Sequence, residues 1–199
     1  MGISIRIAEE KDAAAMLAIY APLVANTTIT FEYEIPSIND FAARILQYLK
    51  DYPWLVCEHG TTLIAYAYAG KHRERKAYQW SAESSIYVGE SFRGNGYGKK
   101  LYEVLFRLLK EQGLINVYAG ITQPNERSVY FHRSCGFTEV GIYKNVGYKL
   151  SGWHDVLWMH KALSEYPLRP VSPIPFSDFR TSNKCVDILR FAAENREFP

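Results

Sequence analysis

The stretch "AESSIYVGESFRGNGYGKKLYEVLFRLLK", residues 82–110, constrains this chain more than any other. An alternating run feeds a turn that carries Gly94, Gly96 and Gly98, and a segment striped with Leu101, Leu105, Leu108 and Leu109 follows, up to Gly113. The alternation predicts a strand and the leucine spacing a helix. Along 77–88, Tyr78, Trp80, Ala82, Ser84, Ile86 and Val88 fall on one face; Gln79, Ser81, Glu83, Ser85 and Tyr87 fall on the other. Glycines permit positive φ and remove the β-carbons that keep a ligand from the backbone. The helix behind them offers free N–H groups and the positive end of its dipole, so the unit suits an anion, most naturally a pyrophosphate. The Rossmann fingerprint needs a glycine at Lys99; the Walker pattern needs glycine at Arg93 and Ser or Thr at Lys100. Neither is met, and the glycines alone fit a ligand-free loop equally well.

The rest of the chain reads as strands with helices between them. Ile3, Ile5 and Ile7 predict a strand, and Asp12 caps a helix with Met16, Ile19, Tyr20 and Leu23 on one face. Residues 26–36 read as β-rich or looped. Ser37 and Asp40 form a capping box for a helix carrying Phe41, Ile45, Tyr48 and Leu49. A hairpin turning at His59–Gly60 leads to the basic turn "KHRERK", then to the long strand. "INVYAGI" is a further strand, Pro124–Asn125 opens a short helix to Gly136, and two strands follow near 137–144 and 153–160. This order predicts a mixed sheet covered by helices over residues 1–163. Pro167, Pro170, Pro173 and Pro175 then mark a proline-rich extension, 164–199, in which 182–194 form a helix with Cys185, Ile188, Leu189 and Ala192 on one face.

Composition narrows the function. A net charge of +2 over 199 residues gives no field that favours nucleic acid, and 48% hydrophobic with 22% charged residues is ordinary for a globular domain. No run reaches the length of a membrane-spanning helix, "MGISIRIAEE" lacks the apolar core of a signal peptide, and the strand-like run behind Gly2 argues against lipidation there. Cys57, Cys135 and Cys185 fit neither a zinc spacing nor a disulfide framework. We expect reduced thiols in a cytoplasmic protein, with no nucleic-acid or membrane partner.

"RGNGYG", between strand and helix, resembles the acetyl-coenzyme A signature of the GCN5-related N-acetyltransferases: Arg or Gln, two residues, Gly, any residue, Gly or Ala. Arg93, Gly96 and Gly98 fill its defined positions, while Gly94 sits at an unconstrained one. "NERSVYFHRSCGF", Asn125 to Phe137, resembles the family's later motif. "YPWLV", "AYAG", "AYQWSAESSIYV" and "VGYKLSGWHDV" are similar to the branch that acetylates phosphinothricin and methionine sulfoximine or sulfone. The likeness runs from about Ile3 to Leu163. It implies a mixed α/β fold with a central, mostly antiparallel sheet flanked by helices, acetyl-CoA as co-substrate, no metal, a small amino-acid-like substrate and a homodimer. It implies that Ile86, Tyr87, Val88, Arg93, Gly94, Asn95, Gly96, Tyr97, Gly98, Lys99, Asn125 and Ser128 hold the acetyl-CoA, and that Phe31, Arg75, Glu83, Ser128 and His132 face the substrate.

Acetyl transfer from a thioester to an amine needs a base for the ammonium proton, a donor for the charge developing on the acyl oxygen, and an acid for the thiolate. The resemblance makes Glu83 the base, with a pKa raised by burial among groups such as Trp80 and Tyr87. His132 stands where many relatives carry a tyrosine; it shares acid–base work or binds the substrate's anionic group, and Tyr130 is a substitute acid. Arg75 grips the substrate's anion. We expect a bulge near Val88 to expose a backbone N–H to the acyl oxygen. Trp153 and Asp155 are read as packing and hydrogen bonding first. The tail docks on its own chain or on a partner subunit. Acetylation of another amine, such as a polyamine or a peptide N-terminus, and coenzyme A binding without turnover stand as rivals.

Overall fold

The computed structural model describes residues 2–193. Its strands are β1 (Ile3–Ile7), β2 (Trp54–His59), β3 (Thr62–Lys71), β4 (Ser81–Val88), β5 (Asn116–Thr122), β6 (Thr138–Lys149) and β7 (Gly152–Ala162). The helices are α1 (Ala13–Asn26), α2 (Ile38–Tyr48), α3 (Tyr97–Gln112), α4 (Glu126–Ser134), α5 (Phe176–Phe179) and α6 (Asn183–Ala193). The strands form one sheet in the order β1-β2-β3-β4-β5-β7-β6, antiparallel except for the central β4–β5 pair. That parallel pair requires the α3 crossover between its strands. The fold is therefore the mixed, mostly antiparallel sheet flanked by helices that the resemblance implies.

Several local expectations need correction. The strand expected over 77–88 begins only at Ser81, because Lys76–Tyr78 form a 3-10 turn. The last two strands are longer than expected and make a twisted hairpin with register shifts at Glu139–Gly141 and Tyr143–Gly147. Asp12 stands at the α1 N-cap position, yet its carboxylate accepts from Arg6 Nη1 (2.7 Å) and Nη2 (2.8 Å) and from Glu9 N–H (2.8 Å) instead of capping. The buried stripe of α1 is Met16, Leu17, Tyr20 and Val24, with Ile19 and Leu23 half-buried. Ser37 does cap α2, accepting from Asp40 N–H at 3.1 Å.

The chain after β7 returns to its own core. Ile174 and Gln112 exchange hydrogen bonds, Trp80 Nε1 donates to Val171 O, and Phe176, Phe179, Cys185, Ile188 and Ala192 are buried in the main cluster. α6 packs on α3 and β1. Residue 194, the expected end of this helix, lies outside the described residues. The loop 27–36 is pinned at the other end of the molecule. Lys149 Nζ, buried, donates to Val24 O (2.7 Å) and Thr30 O (2.8 Å), and Tyr33 OH donates to Tyr148 O.

Candidate active site

The β4–β5 ladder is short. It joins Ser81–Glu83 to Asn116–Tyr118 and stops, while β4 stays paired to β3 up to Val88 and β5 stays paired to β7 up to Thr122. The sheet opens between them into a 70 Å³ slot lined by Ser84, Ile86, Ser85 and Tyr87 on one side and Ala119–Thr122 on the other. Ser84 and Ile86 belong to one face of the sheet, Ser85 and Tyr87 to the other, so the slot runs through the sheet. The β3–β4 register is regular, with no bulge at Val88. Gly89 N–H bonds Ile64 O at 2.8 Å, which makes Ala65–Val88 and Ala67–Ile86 pairs without ladder bonds. The N–H groups of Val88 and Ile86 therefore point into the opening. The strands' divergence exposes them, where a bulge was expected.

On the α3 face the slot meets a 380 Å³ cleft. Gly94 and Gly96 have φ of +82° and +79°, conformations that exclude a β-carbon by strain although the space around each is open. Gly94 is thus as constrained as Gly96, contrary to the motif reading. Gly98 has a different reason to be glycine: a Cβ there would sit 3.3–3.4 Å from Phe131 and Val88. No side chain caps the N-terminus of α3, which leaves its first N–H groups facing the cleft. Arg93 Nε donates to Val88 O at 3.1 Å and ties the turn to β4. Every residue expected to hold acetyl-CoA lines this cleft except Asn95, whose amide donates to Phe92 O and Arg93 O and so holds the turn. Leu23, Ile29, Phe92, Arg127, Phe131 and Ser134 line it too. Sequence reading missed these six, although Arg127, Phe131 and Ser134 lie inside the quoted later motif.

His132 closes the same face. Asn125 caps α4, its Oδ1 accepting from Ser128 N–H at 3.2 Å. One turn on, His132 Nδ1 lies 2.8 Å from Ser128 O, which can only accept, so Nδ1 carries the hydrogen. Nε2 then accepts from Tyr102 OH (3.2 Å), whose oxygen is also 3.2 Å from Ser84 Oγ. Burial lowers the pKa of this imidazole, and the bond to Ser128 O raises it in part. His132 lines the slot, but both nitrogens are spent inside the fold. Tyr130 is 76% exposed and lines neither opening.

Glu83 lies on the other face, because Ser84 beside it points to Tyr102 and α3. Glu83 and His132 thus stand on opposite sides of the sheet, His132 lining the slot and Glu83 at the rung where it begins. Glu83 sits at the last rung of the β4–β5 ladder, between Gly70 and Tyr118. Burial pushes its carboxyl up and Arg73 pulls it back in part. Arg73 lies over Trp158 (5.9 Å) and donates to Tyr143 OH (3.3 Å). Arg73 and Arg75 are both exposed, and Arg73 is the guanidinium whose charge acts on Glu83. The residue type and the turn were legible; which arginine faces Glu83 was not. Phe31 packs on the β6–β7 hairpin, against Gly147 and His154, where a Cβ on Gly147 would collide with its ring. Asp155 holds that hairpin, accepting from Lys144 Nζ (2.7 Å) and Asn145 N–H (2.8 Å). Trp153 is 65% exposed, with its ring tilted against that of Tyr148, so it does not pack in the core.

Residues 5–158 match the acetyltransferase (GNAT) domain family. The chain is 35% identical to phosphinothricin N-acetyltransferase of Streptomyces viridochromogenes over 86% of its length and 94% of the relative's. It is 31% identical to the L-methionine sulfoximine/L-methionine sulfone acetyltransferase of Salmonella typhimurium, over 82% of this chain and 96% of that one. Among solved structures, a GNAT superfamily phosphinothricin acetyltransferase from Sinorhizobium meliloti in complex with AcCoA superposes with a TM-score of 0.81 at 32% identity, covering 86% of this chain and 94% of that one.

Proposed function

The chain belongs to the GNAT acetyltransferase family, and we propose that it moves the acetyl group of acetyl-CoA to the amino group of a small amino-acid analogue, of the phosphinothricin or methionine sulfoximine and sulfone type. One observation carries this reading. The opening between β4 and β5 meets a glycine-turn cleft, and it begins directly beyond the rung that carries the Glu83 carboxylate on the other face. The cleft fits acetyl-CoA: the positive-φ turn and the uncapped start of α3 suit a pyrophosphate, and the free edge of β4 suits an extended chain with amides.

Glu83 takes the proton of the substrate ammonium. Its raised pKa brings it closer to the amine's and eases the transfer. The N–H groups of Val88 and Ile86 face the charge that develops on the acyl oxygen. Arg73, with Arg75 two residues on, supplies positive charge for an anionic group of the substrate and disfavours a polyamine. Phe31 closes the substrate side through the pinned loop. His132, neutral and buried, holds the slot wall with Ser128 and Tyr102. The unpaired cysteines, two of them buried, support a reducing compartment such as the cytoplasm. The edge strand β6 exposes Val140, Ile142, Val146 and Tyr148 beside Trp153, and we assign this patch to a homodimer contact; a concentration-independent monomer by ultracentrifugation would refute it.

The test is thiol release from acetyl-CoA with a panel of amino acids, amines and peptides. Methionine sulfone and phosphinothricin are expected to be acetylated. Turnover only with amines or peptide N-termini would replace the substrate assignment, and coenzyme A binding without turnover would replace the enzyme.

A further inference from the structure

His72 follows β3 directly, and its ring lies flat on Tyr118 at 4.3 Å and 11°, with Trp158 at its edge (5.8 Å, 75°). Aromatic contacts therefore hold the ring, with no hydrogen bond to it among the described residues. Its Nδ1 is buried with no hydrogen-bond partner among the described residues, and it faces Glu83 Oε2 at 4.0 Å. An unpartnered buried nitrogen in a native fold asks for an explanation. Here the nitrogen sits one small side-chain shift, about 1 Å, from a hydrogen bond to the proposed base.

The chemistry needs such a group. The substrate nitrogen begins as an ammonium and ends as an amide, so it gives up two protons. The nitrogen lone pair forms the C–N bond, the C–S electron pair leaves with sulfur, and the thiolate takes one proton to become a thiol. The other proton must leave the site, and a lone carboxylate holds only one at a time. We propose that His72 is the second proton acceptor of the reaction: Nδ1 takes the first proton from Glu83, which restores the carboxylate for the second, the imidazolium releases its proton to water, and the second proton passes from Glu83 to the thiolate. His72 acts through Glu83 and not on the reacting atoms, and the inference rests on the acetyl-transfer reading above.

The surroundings agree with the transfer. Burial lowers the His72 pKa and raises that of Glu83, which brings the two together. The titratable and charged groups that face the ring are Glu83 from β4, Tyr118 from β5, and Arg73 and Tyr78 from its own turn; of β7, Trp158 meets its edge and His160 reaches Tyr118. Arg73 lowers both pKa values and so leaves the match between them in place.

His72→Phe keeps a flat ring and removes the nitrogen. Acetylation of methionine sulfone by this variant should fall about tenfold at neutral pH. The acid limb of log kcat against pH should lose one proton, its slope falling from two toward one. A purely structural effect would lower the rate and leave the slope. Histidine NMR gives a second readout, with His72 assigned by its absence in His72→Phe. Its titration midpoint should fall by about one unit in Glu83→Gln, because a nearby carboxylate favours the imidazolium. An active parent with an unchanged slope, or an unchanged midpoint, overturns this inference alone. A parent that acetylates no amine overturns the functional reading and the inference with it.

Discussion

The two faces of the opening treat their histidines differently. On the α3 face, His132 gives Nδ1 to Ser128 O and receives Tyr102 OH at Nε2, in a chain that continues to Ser84. On the opposite face, His72 is stacked on Tyr118 and its Nδ1 beside Glu83, like Trp158 Nε1 near it, has no hydrogen-bond partner among the described residues. Buried polar groups pair off when their task is to hold the fold. The closed network reads as the wall of a channel; the open one reads as a surface waiting for a substrate and its protons. Similar side chains thus serve the scaffold on one side and the chemistry on the other.

Substitutions can break this contrast. Glu83→Gln should have the largest effect, a drop in kcat of about 10²–10⁴-fold. Activity of the parent should fall as pH drops through the raised Glu83 pKa, since only the carboxylate accepts a proton. The same variant should melt higher at neutral pH. A carboxyl whose folded pKa is raised favours folding below its unfolded value, and that contribution is lost as pH rises through the folded one. At neutral pH the charge opposes folding, and the amide removes it.

His132→Phe should act mainly on stability. It removes the ring partner of Tyr102 OH and of Ser128 O, at a cost of about 1–3 kcal/mol by denaturant titration, with a smaller loss of kcat than Glu83→Gln. A loss of turnover equal to that of Glu83→Gln, at unchanged stability, would move the chemistry to the α3 face. Arg73→Ala should raise KM for the amino-acid substrate about tenfold and Arg75→Ala less, by the same steady-state assay. The smallest effect belongs to Tyr130→Phe, within about twofold in kcat, because its hydroxyl stands in solvent.

Local chemistry made much of this legible in the sequence. The glycine turn, the leucine face of α3, the Asn125 cap and the placing of Glu83 on the opposite strand face from Ser84 all depend on neighbours a few residues apart. What was not legible depends on distant pairings. The slot exists because β4 follows β3 while β5 follows β7, whose strand partners lie 34 to 46 residues further along the chain. His72 looked like part of a solvated basic turn until Tyr118 and Trp158 were brought beneath it. The 3-10 turn at Lys76–Tyr78 breaks an alternation that local reading would extend, and the Arg73 charge acts on Glu83 across strands.

The central claim is that the sheet divides the work, acetyl-CoA on the α3 face and the amine on the Glu83 face. Calorimetric titration with coenzyme A of the parent, Glu83→Gln and Gly96→Ala tests it directly. Glu83→Gln should bind within about twofold of the parent. Gly96→Ala, forced to place a Cβ at φ +79°, should bind about tenfold more weakly. Loss of coenzyme A affinity in Glu83→Gln comparable to that in Gly96→Ala would contradict the division.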